Sequence, residues 1–222
     1  MKLFTCFVVA FLFSQSCFAG VVLGSTRLIY NSDEKEATLT LTNTREAKSY
    51  LVQSWVSSSG SNKENVPFIV TPPVFKLGGG KKGMLRVLYT DNSLPRDRES
   101  LFWLNVKPIP AQDIEAQNEL QVVIKSKIKL LYRPDSLRDD APQAYKKLRF
   151  SKIPDGMDIY NPTPYYISLY SLMLNGKEDS QISMLPPFSH NKLKTIAGNL
   201  NTSQWQAIND NGSPSEIMKA TF

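Results

Sequence analysis

The central segment of the chain reads Asn118-Glu-Leu-Gln-Val-Val-Ile-Lys-Ser-Lys-Ile-Lys-Leu-Leu-Tyr-Arg-Pro134, an alternation of apolar and polar residues that ends in a proline. Successive side chains of a β-strand point to opposite faces, so this alternation sorts into two sets. The even set is Leu120, Val122, Ile124, Ser126, Ile128 and Leu130, and the odd set is Gln121, Val123, Lys125, Lys127, Lys129 and Leu131. Two interpretations stay open: a half-buried strand with its lysines in solvent, or an exposed apolar edge that awaits a partner.

Residues 1–19 have the three regions of a secretory signal peptide: a charge at Lys2, an apolar run from Leu3 to Phe13, and small residues before Ala19. The apolar run is shorter than the roughly 20 residues that a membrane span needs. Cleavage after Ala19 removes Cys6 and Cys17, so we expect a mature chain without disulfides or cysteine metal sites.

Short strand-like runs separated by turn residues follow the signal peptide, and their spacing predicts an all-β protein built from antiparallel sandwiches. The runs before the central segment are 21–30, 37–43, 50–57, 68–77, 84–89 and 101–107. A polar connection with Pro and charged residues spans 135–142 and predicts a domain boundary, with a first domain at 20–139 and a second at 140–222. The second set of strands is near the lower size limit for a stable core, so we expect it to pack on the first domain.

The residues that most enzymes need are scarce. The chain has one histidine, His190, in a loop-like segment, where a surface or capping role is favoured over metal binding. Gly78-Gly-Gly80 lacks the context of a phosphate-binding loop and predicts a turn. The net charge of +6 is spread over short groups, which gives no indication of a nucleic-acid partner. Catalysis would have to depend on carboxylates alone, and we predict that the protein is not an enzyme.

Several blocks of sequence resemble the PapD-like periplasmic chaperones of the chaperone–usher pathway. The main block is Leu94-Pro-Arg-Asp-Arg-Glu-Ser-Leu-Phe-Trp-Leu-Asn-Val-Lys-Pro-Ile-Pro110. The others are Thr26-Arg27, Thr71-Pro-Pro73, Lys127-Ile-Lys-Leu-Leu-Tyr-Arg-Pro134, Asn161-Pro-Thr-Pro-Tyr-Tyr166 and Ile208-Asn-Asp-Asn-Gly212, in the order that the family has. The resemblance implies two immunoglobulin-like β-sandwich domains set at an angle with a cleft between them. The short connection Ala111 to Glu119 is similar to the short-loop subgroup.

The resemblance also implies the roles of particular residues. Arg27 and Lys129 match the cations that anchor a pilus subunit's C-terminal carboxylate, a task that suits a guanidinium and an ammonium held together. The residues that would enter the groove of an incomplete subunit as a donor strand are Leu120, Val122 and Ile124. The charges that would link the two domains are Glu99, Arg133 and Asp210.

The function implied is that of a periplasmic chaperone that binds, folds and caps pilus or fimbrial subunits and delivers them to an outer-membrane usher, without ATP or a cofactor. Self-association through the exposed strand edge is left open. A structural or adhesive fimbrial subunit is the alternative, although such subunits usually carry a disulfide and lack a strand. A carbohydrate-active enzyme would need acids that converge in one cleft, whereas the acids here lie mainly in turns and in the connection.

Overall fold

The computed structural model describes residues 20–58, 66–111, 122–194 and 201–221. The strands of the first domain are β1 (Val21–Leu23), β2 (Arg27–Asn31), β3 (Ala37–Asn43), β4 (Tyr50–Ser58), β5 (Phe68–Thr71), β6 (Val74–Leu77), β7 (Lys82–Tyr89), β8 (Ser100–Pro110) and β9 (Ser126–Arg133). They form two sheets with strand orders β1-β3-β7-β5 and β2-β9-β8-β4-β6. The predicted all-β sandwich architecture is confirmed.

Alternation of apolar and polar residues decides which face of each strand is buried in the first domain. In β3 the burial pattern follows the sequence Ala37-Thr-Leu-Thr-Leu, with the apolar positions inside and the threonines outside. The two sheets close over one core, whose fully buried members include Leu39, Leu85, Leu104 and Leu130. The even set of the central segment is therefore on the core side at Leu130.

The N-terminal strand run changes sheets. The sequence predicts one strand over 21–30, whereas the structure has β1 paired with β3 in one sheet and β2 paired in parallel with β9 in the other. Gly24 lies at the crossing, where its N–H donates to the Thr40 carbonyl at 2.8 Å. Because β2 begins at Arg27, it pairs only with residues from Lys129 onward. The change of sheet thus determines how much of the outer edge of β9 is covered.

The prediction of one continuous strand over the central segment is wrong in its extent. Residues 122–125 have no strand assignment, and β9 begins at Ser126. Residues 112–121, which include Leu120, lie outside the described residues. The ladder with β8 ends at the pair Ser126 and Val106.

The strands of the second domain are β10 (Arg149–Ile153), β11 (Gly156–Asn161), β12 (Ile167–Leu174), β13 (Lys177–Glu178), β14 (Met184–Leu185), β15 (Ser189–Lys194), β16 (Thr202–Ala207) and β17 (Met218–Thr221). One sheet has the order β10-β11-β15, and the other has the order β13-β12-β16-β17 with β14 also paired to β12. Their core contains Met157, Ile159, Leu172 and Trp205.

The connection between the domains has more structure than the polar linker that the sequence predicts. Two short 3-10 helices occupy Asp135–Leu137 and Ala141–Lys147, and the second buries Ala144 and Tyr145 against the second core. The Trp205 indole N–H donates to the Tyr145 carbonyl at 3.0 Å. Within the described ranges, no helix is long and apolar enough to cross a membrane.

Candidate functional site: the interdomain cleft and the free edge of β9

Arg27 and Lys129 are brought together by the parallel pairing of β2 and β9, in which they occupy the same register position. The Arg27 Nη1 group donates to the carbonyl oxygen of Ile208 at 3.0 Å, and the Lys129 Nζ group donates to the Ser168 hydroxyl at 2.7 Å. Both acceptors belong to the second domain. The two cations therefore lie at the junction of the domains.

Burial changes the pKa values of both cations. Desolvation, and then the charge of Arg27, lower the pKa of Lys129 from 10.5 to about 8. Burial also lowers the pKa of Arg27, while Asp210 and Glu99 act in the opposite direction. The Arg27 Nε atom is buried and has no hydrogen-bond partner among the described residues. An anion in this place would supply the missing hydrogen-bond acceptor.

Arg133, Glu99 and Asp210 form one network, as a structural link between the domains requires. The Arg133 Nε group donates to Glu99 Oε1 at 2.7 Å, and its Nη1 and Nη2 groups donate to the Asp210 carboxylate at 2.6 and 3.0 Å. The backbone N–H of Tyr166 donates to Glu99 Oε2 at 2.8 Å. Arg133 and Glu99 belong to the first domain and the other two residues to the second.

The charges of this network depend on one another. Glu99 is 2% exposed and Arg133 is 5% exposed, whereas the Asp210 side chain is 47% exposed. Burial raises the pKa of Glu99, and the charge of Arg133 opposes that rise. The carboxylate bonds raise the pKa of Arg133 above its ordinary value despite its burial. Arg133 therefore neutralises a carboxylate that the fold has taken out of water.

Two turns of the second domain contact the first domain. The buried Asn161 side chain donates to the carbonyls of Tyr165, Leu185 and Pro186 and accepts from Thr163, which shapes the turn that presents Tyr166 to Glu99. The second turn contains Asp210 and ends at Gly212, which has φ +87°.

A Cβ atom at Gly212 would lie 2.7 Å from Thr26 Oγ1. A side chain at residue 212 would therefore be opposed by the left-handed backbone conformation and by contact with the first domain. The two sequence blocks that contain Thr26 and Gly212 lie far apart in the chain and meet here.

The apolar residues before β9 point into solvent. Val122 is 71% exposed and Ile124 is 73% exposed, although both belong to the even set that is buried further along at Leu130. The side chains of this set change from exposed to buried because the sandwich core does not reach as far as residue 124. The described part of the chain places no strand on the outer edge of β9 before Lys129. Among the described residues, no strand pairs with Ser126–Ile128 on that side, which leaves an open strand edge there.

Sequence reasoning missed three side chains near this edge. Ser168 accepts a hydrogen bond from Lys129, and its position two residues after the block Asn161-Pro-Thr-Pro-Tyr-Tyr166 was an available signal. Trp55 and Trp103 lie under two lysines of the odd set: the Lys125 Nζ atom is 5.8 Å from the Trp55 ring centroid, and the Lys127 Nζ atom is 4.4 Å from that of Trp103. No local pattern connects residues so far apart in the chain.

A cleft of about 580 Å³ lies between the domains, with Arg27, Arg133, Tyr165 and Asn209 among its lining residues. His190 lies away from this cleft: its Nδ1 atom is 2.7 Å from Asp158 Oδ2 and its ring stacks on Tyr160. The described residues contain no group of three or more His, Cys, Asp or Glu side chains that could hold a metal ion.

Two packed sandwiches, a cleft between them and, among the described residues, a β9 edge with no partner strand before Lys129 define the class of this protein. The family described as "Pili and flagellar-assembly chaperone, PapD N-terminal domain" matches residues 20–138, and "Pili assembly chaperone PapD, C-terminal domain" matches residues 143–218. The chain belongs to the PapD family of pilus-assembly chaperones.

Named relatives agree with this membership. The chain is 36% identical to the chaperone protein LpfB of Salmonella typhimurium, with 96% of this chain and 94% of that protein covered. It is 40% identical to the chaperone protein FocC of Escherichia coli, with 96% and 94% covered. A solved structure of the SafA pilin of Salmonella enterica in complex with the SafB chaperone is similar with a TM-score of 0.82 and 31% identity, over 94% of this chain and 99% of that one. The predicted chaperone function for pilus subunits is thereby confirmed, and the alternative of a fimbrial subunit is not favoured.

Proposed function

We propose that this chaperone holds a pilus subunit in two ways at once: Arg27 and Lys129 bind its C-terminal carboxylate, and the segment from Leu120 to Ile124 completes its fold as a donor strand. The chaperone then acts in the periplasm after removal of residues 1–19 and delivers the subunit to an outer-membrane usher. The exposure of Val122 and Ile124, beside a β9 edge that no described strand covers before Lys129, is the observation that carries this proposal.

The carboxylate anchor is supported by the electrostatics of the cleft. Burial lowers the pKa of both Lys129 and Arg27, and the charge of Arg27 lowers the pKa of Lys129 further. A carboxylate removes this repulsion and accepts charge-assisted hydrogen bonds from both donors. It would have to displace the Ser168 hydroxyl from Lys129 or join it. Such a site suits a C-terminal carboxylate, because the backbone of an internal residue carries no charge.

The donor strand is supported by the geometry of β9. Once the carboxylate is fixed at Lys129, a bound strand can extend along the open edge past Ile128 toward residue 122. Main-chain hydrogen bonds then provide affinity, and alternate side chains enter the partner's groove. Val122 and Ile124 are two residues apart, so both point to the same side of an extended chain. Their outward position agrees with insertion, whereas a core role would need them buried.

The anchor is tested by Arg27→Ala and Lys129→Met in a capture assay with pilus subunits co-expressed from the neighbouring fimbrial genes. Loss of one charged partner of a buried pair costs about 2–5 kcal/mol. We therefore expect folded proteins that capture no subunit above background. Arg86→Ala is the matched control, since the Arg86 side chain is 57% exposed on another strand. Capture by Arg27→Ala and Lys129→Met at the level of that control would refute the anchor.

The donor strand is tested by Val122→Glu. The side chain is already in solvent, so we expect a free energy of unfolding within about 0.5 kcal/mol of wild type. Subunit capture should be lost, because an ionised carboxylate cannot enter an apolar groove without a partner. Ile69→Glu, at a residue of β5 that is 57% exposed, should leave capture intact. A Val122→Glu protein that captures subunits normally would remove residue 122 from the donor strand.

A further inference from the structure

We infer that Trp55 and Trp103 are positioning residues that hold Lys125 and Lys127 on the sheet and so keep Val122 and Ile124 turned outward. This role rests on the proposed donor strand, but the contacts that produce it exist in the free protein. Trp55 is on β4 and Trp103 is on β8, and both strands come before the central segment in the chain.

The contacts follow from the register of the sheet. Trp103 is opposite Lys129, and Asn105 is opposite both Lys127 and Trp55 in neighbouring strands. Residues that oppose each other in a sheet share a face, so the tryptophan rings and the lysine side chains are on the same outer surface. The Lys127 Nζ atom reaches across to the Trp103 ring at 4.4 Å from its centroid, well inside the range for a cation–π contact.

Asn105 links the backbones of the two tryptophans. It is buried, and its Nδ2 group donates to the Trp103 carbonyl at 3.1 Å and to the Ser57 hydroxyl at 3.0 Å, with a longer contact to the Trp55 carbonyl at 3.4 Å. The backbones that carry both rings are therefore tied to one amide.

A conflict of charge explains why the rings are needed at this point. The ladder between β8 and β9 ends at Val106 and Ser126, and one further step would place Lys125 opposite Lys107. Like charges directly opposite each other destabilise a sheet. Lys125 is instead directed at Trp55, with its Nζ atom 5.8 Å from the ring centroid. The ring contact keeps the segment before Ser126 close to the sheet, where its backbone no longer pairs with β8.

The consequence is the orientation of the donor residues. Side chains of an extended segment alternate, so holding Lys125 and Lys127 on the outer face directs the even residues to the opposite side. Ile128 and Leu130 on that side pack on the core, whereas Val122 and Ile124 extend past it and stay exposed. A segment without this restraint could rotate and place its apolar residues against the rings. The tryptophans thus keep Val122 and Ile124 directed outward in the free chaperone, before a subunit binds.

The test uses the free chaperone, measured by NMR and amide hydrogen exchange, with Lys127→Met, Lys127→Arg and Trp103→Leu. In wild type the ε-methylene protons of Lys127 should be shifted upfield by the ring current of Trp103, and Trp103→Leu should abolish the shift. The amides of Ser126–Ile128 should exchange about two- to fivefold faster in Lys127→Met, the range that an exposed cation–π contact gives. Lys127→Arg should retain wild-type exchange, because a guanidinium also binds the ring face.

Controls separate this role from general stability and from the donor strand itself. Lys76→Met, at an exposed lysine of β6, should change neither the shift nor the exchange. Unshifted lysine protons in wild type, or unchanged exchange in Lys127→Met, would overturn the inference, and Lys127→Met gives this answer even if Trp103→Leu fails to fold. Failure of the donor-strand proposal would appear elsewhere, as normal subunit capture by Val122→Glu.

Discussion

Arg133→Met should be among the most damaging single changes in the domain junction. The substitution keeps an apolar stem of similar length but removes the only cation that hydrogen-bonds Glu99 among the described residues, through Nε at 2.7 Å. Glu99 is 2% exposed, so its ionised carboxylate would keep one donor, the Tyr166 N–H, and no opposite charge in contact. Breaking a buried pair in this way costs about 3–5 kcal/mol. Asp210→Asn should cost about 1 kcal/mol or less, because the Asp210 side chain is 47% exposed.

Urea unfolding, followed by tryptophan fluorescence, measures these differences. The double variant Arg133→Met/Glu99→Gln should regain much of the lost free energy of unfolding. The glutamine has no charge that would be left unpaired, and it still accepts a hydrogen bond from the Tyr166 N–H. Arg138→Met is the surface control, since Arg138 pairs with Asp33 where both side chains are about half exposed. A double variant that is no more stable than Arg133→Met would refute the explanation by an uncompensated charge.

The same variant makes a prediction about pH. Burial raises the pKa of Glu99 in the folded wild type, and loss of Arg133, which opposes that rise, should move the pKa further up. A carboxyl group with a folded pKa above its unfolded value binds more protons when folded, so the folded state gains as pH falls through the folded pKa. The deficit of Arg133→Met should therefore be largest above neutral pH and should shrink toward pH 5. An equal deficit at pH 8 and pH 5 would contradict this account.

Three further predictions concern the same region. The pKa of Lys129, lowered from 10.5 to about 8, means that the unfolded chain holds more protons between these values, so wild-type stability should rise with pH in that window. Lys129→Met should be more stable than wild type by about 1–2 kcal/mol at pH 7, after allowance for partial exposure, with the gap closing by about pH 10.5 in urea titrations. Gly212→Ala should lower the free energy of unfolding by about 1–3 kcal/mol, since the left-handed backbone and Thr26 both oppose a Cβ atom; an unchanged thermal midpoint would show that the turn can move. Asn161→Ala should cost about 2–4 kcal/mol, because three carbonyls lose their donor inside the protein, and wild-type stability would mean that other donors replace it.

The sequence alone was sufficient for the class of fold. Alternation in runs such as Ala37–Asn43 predicts strands, because a period of two places every apolar residue on one side of an extended chain. The ordered blocks around Arg27, Glu99 and Asn161 were sufficient to assign the family. These features are local, and a local pattern can be read without knowing where the chain goes next.

The sequence did not determine where the apolar side chains of the central segment change from exposed to buried. Val122, Ile124 and Leu130 all belong to the even set of the central segment. The first two are in solvent and the last is buried, because the sandwich core ends between them. Alternation contains no information about the extent of the opposite sheet. The crossing at Gly24, which separates β1 from β2, is equally invisible in the run 21–30 and determines that β2 leaves the start of β9 uncovered.

Electrostatic partners were likewise decided by the tertiary structure. Arg27 and Lys129 lie about a hundred positions apart in the chain and share a register position only because β2 pairs in parallel with β9. The low pKa of Lys129 arises from burial between two domains and from the neighbouring guanidinium, neither of which a composition or a spacing encodes. The sequence by itself determined the all-β class, the family and the candidate cations. The packing of sheets and domains decided where strands begin and end and which residues meet, because contact and desolvation depend on distance in space rather than along the chain.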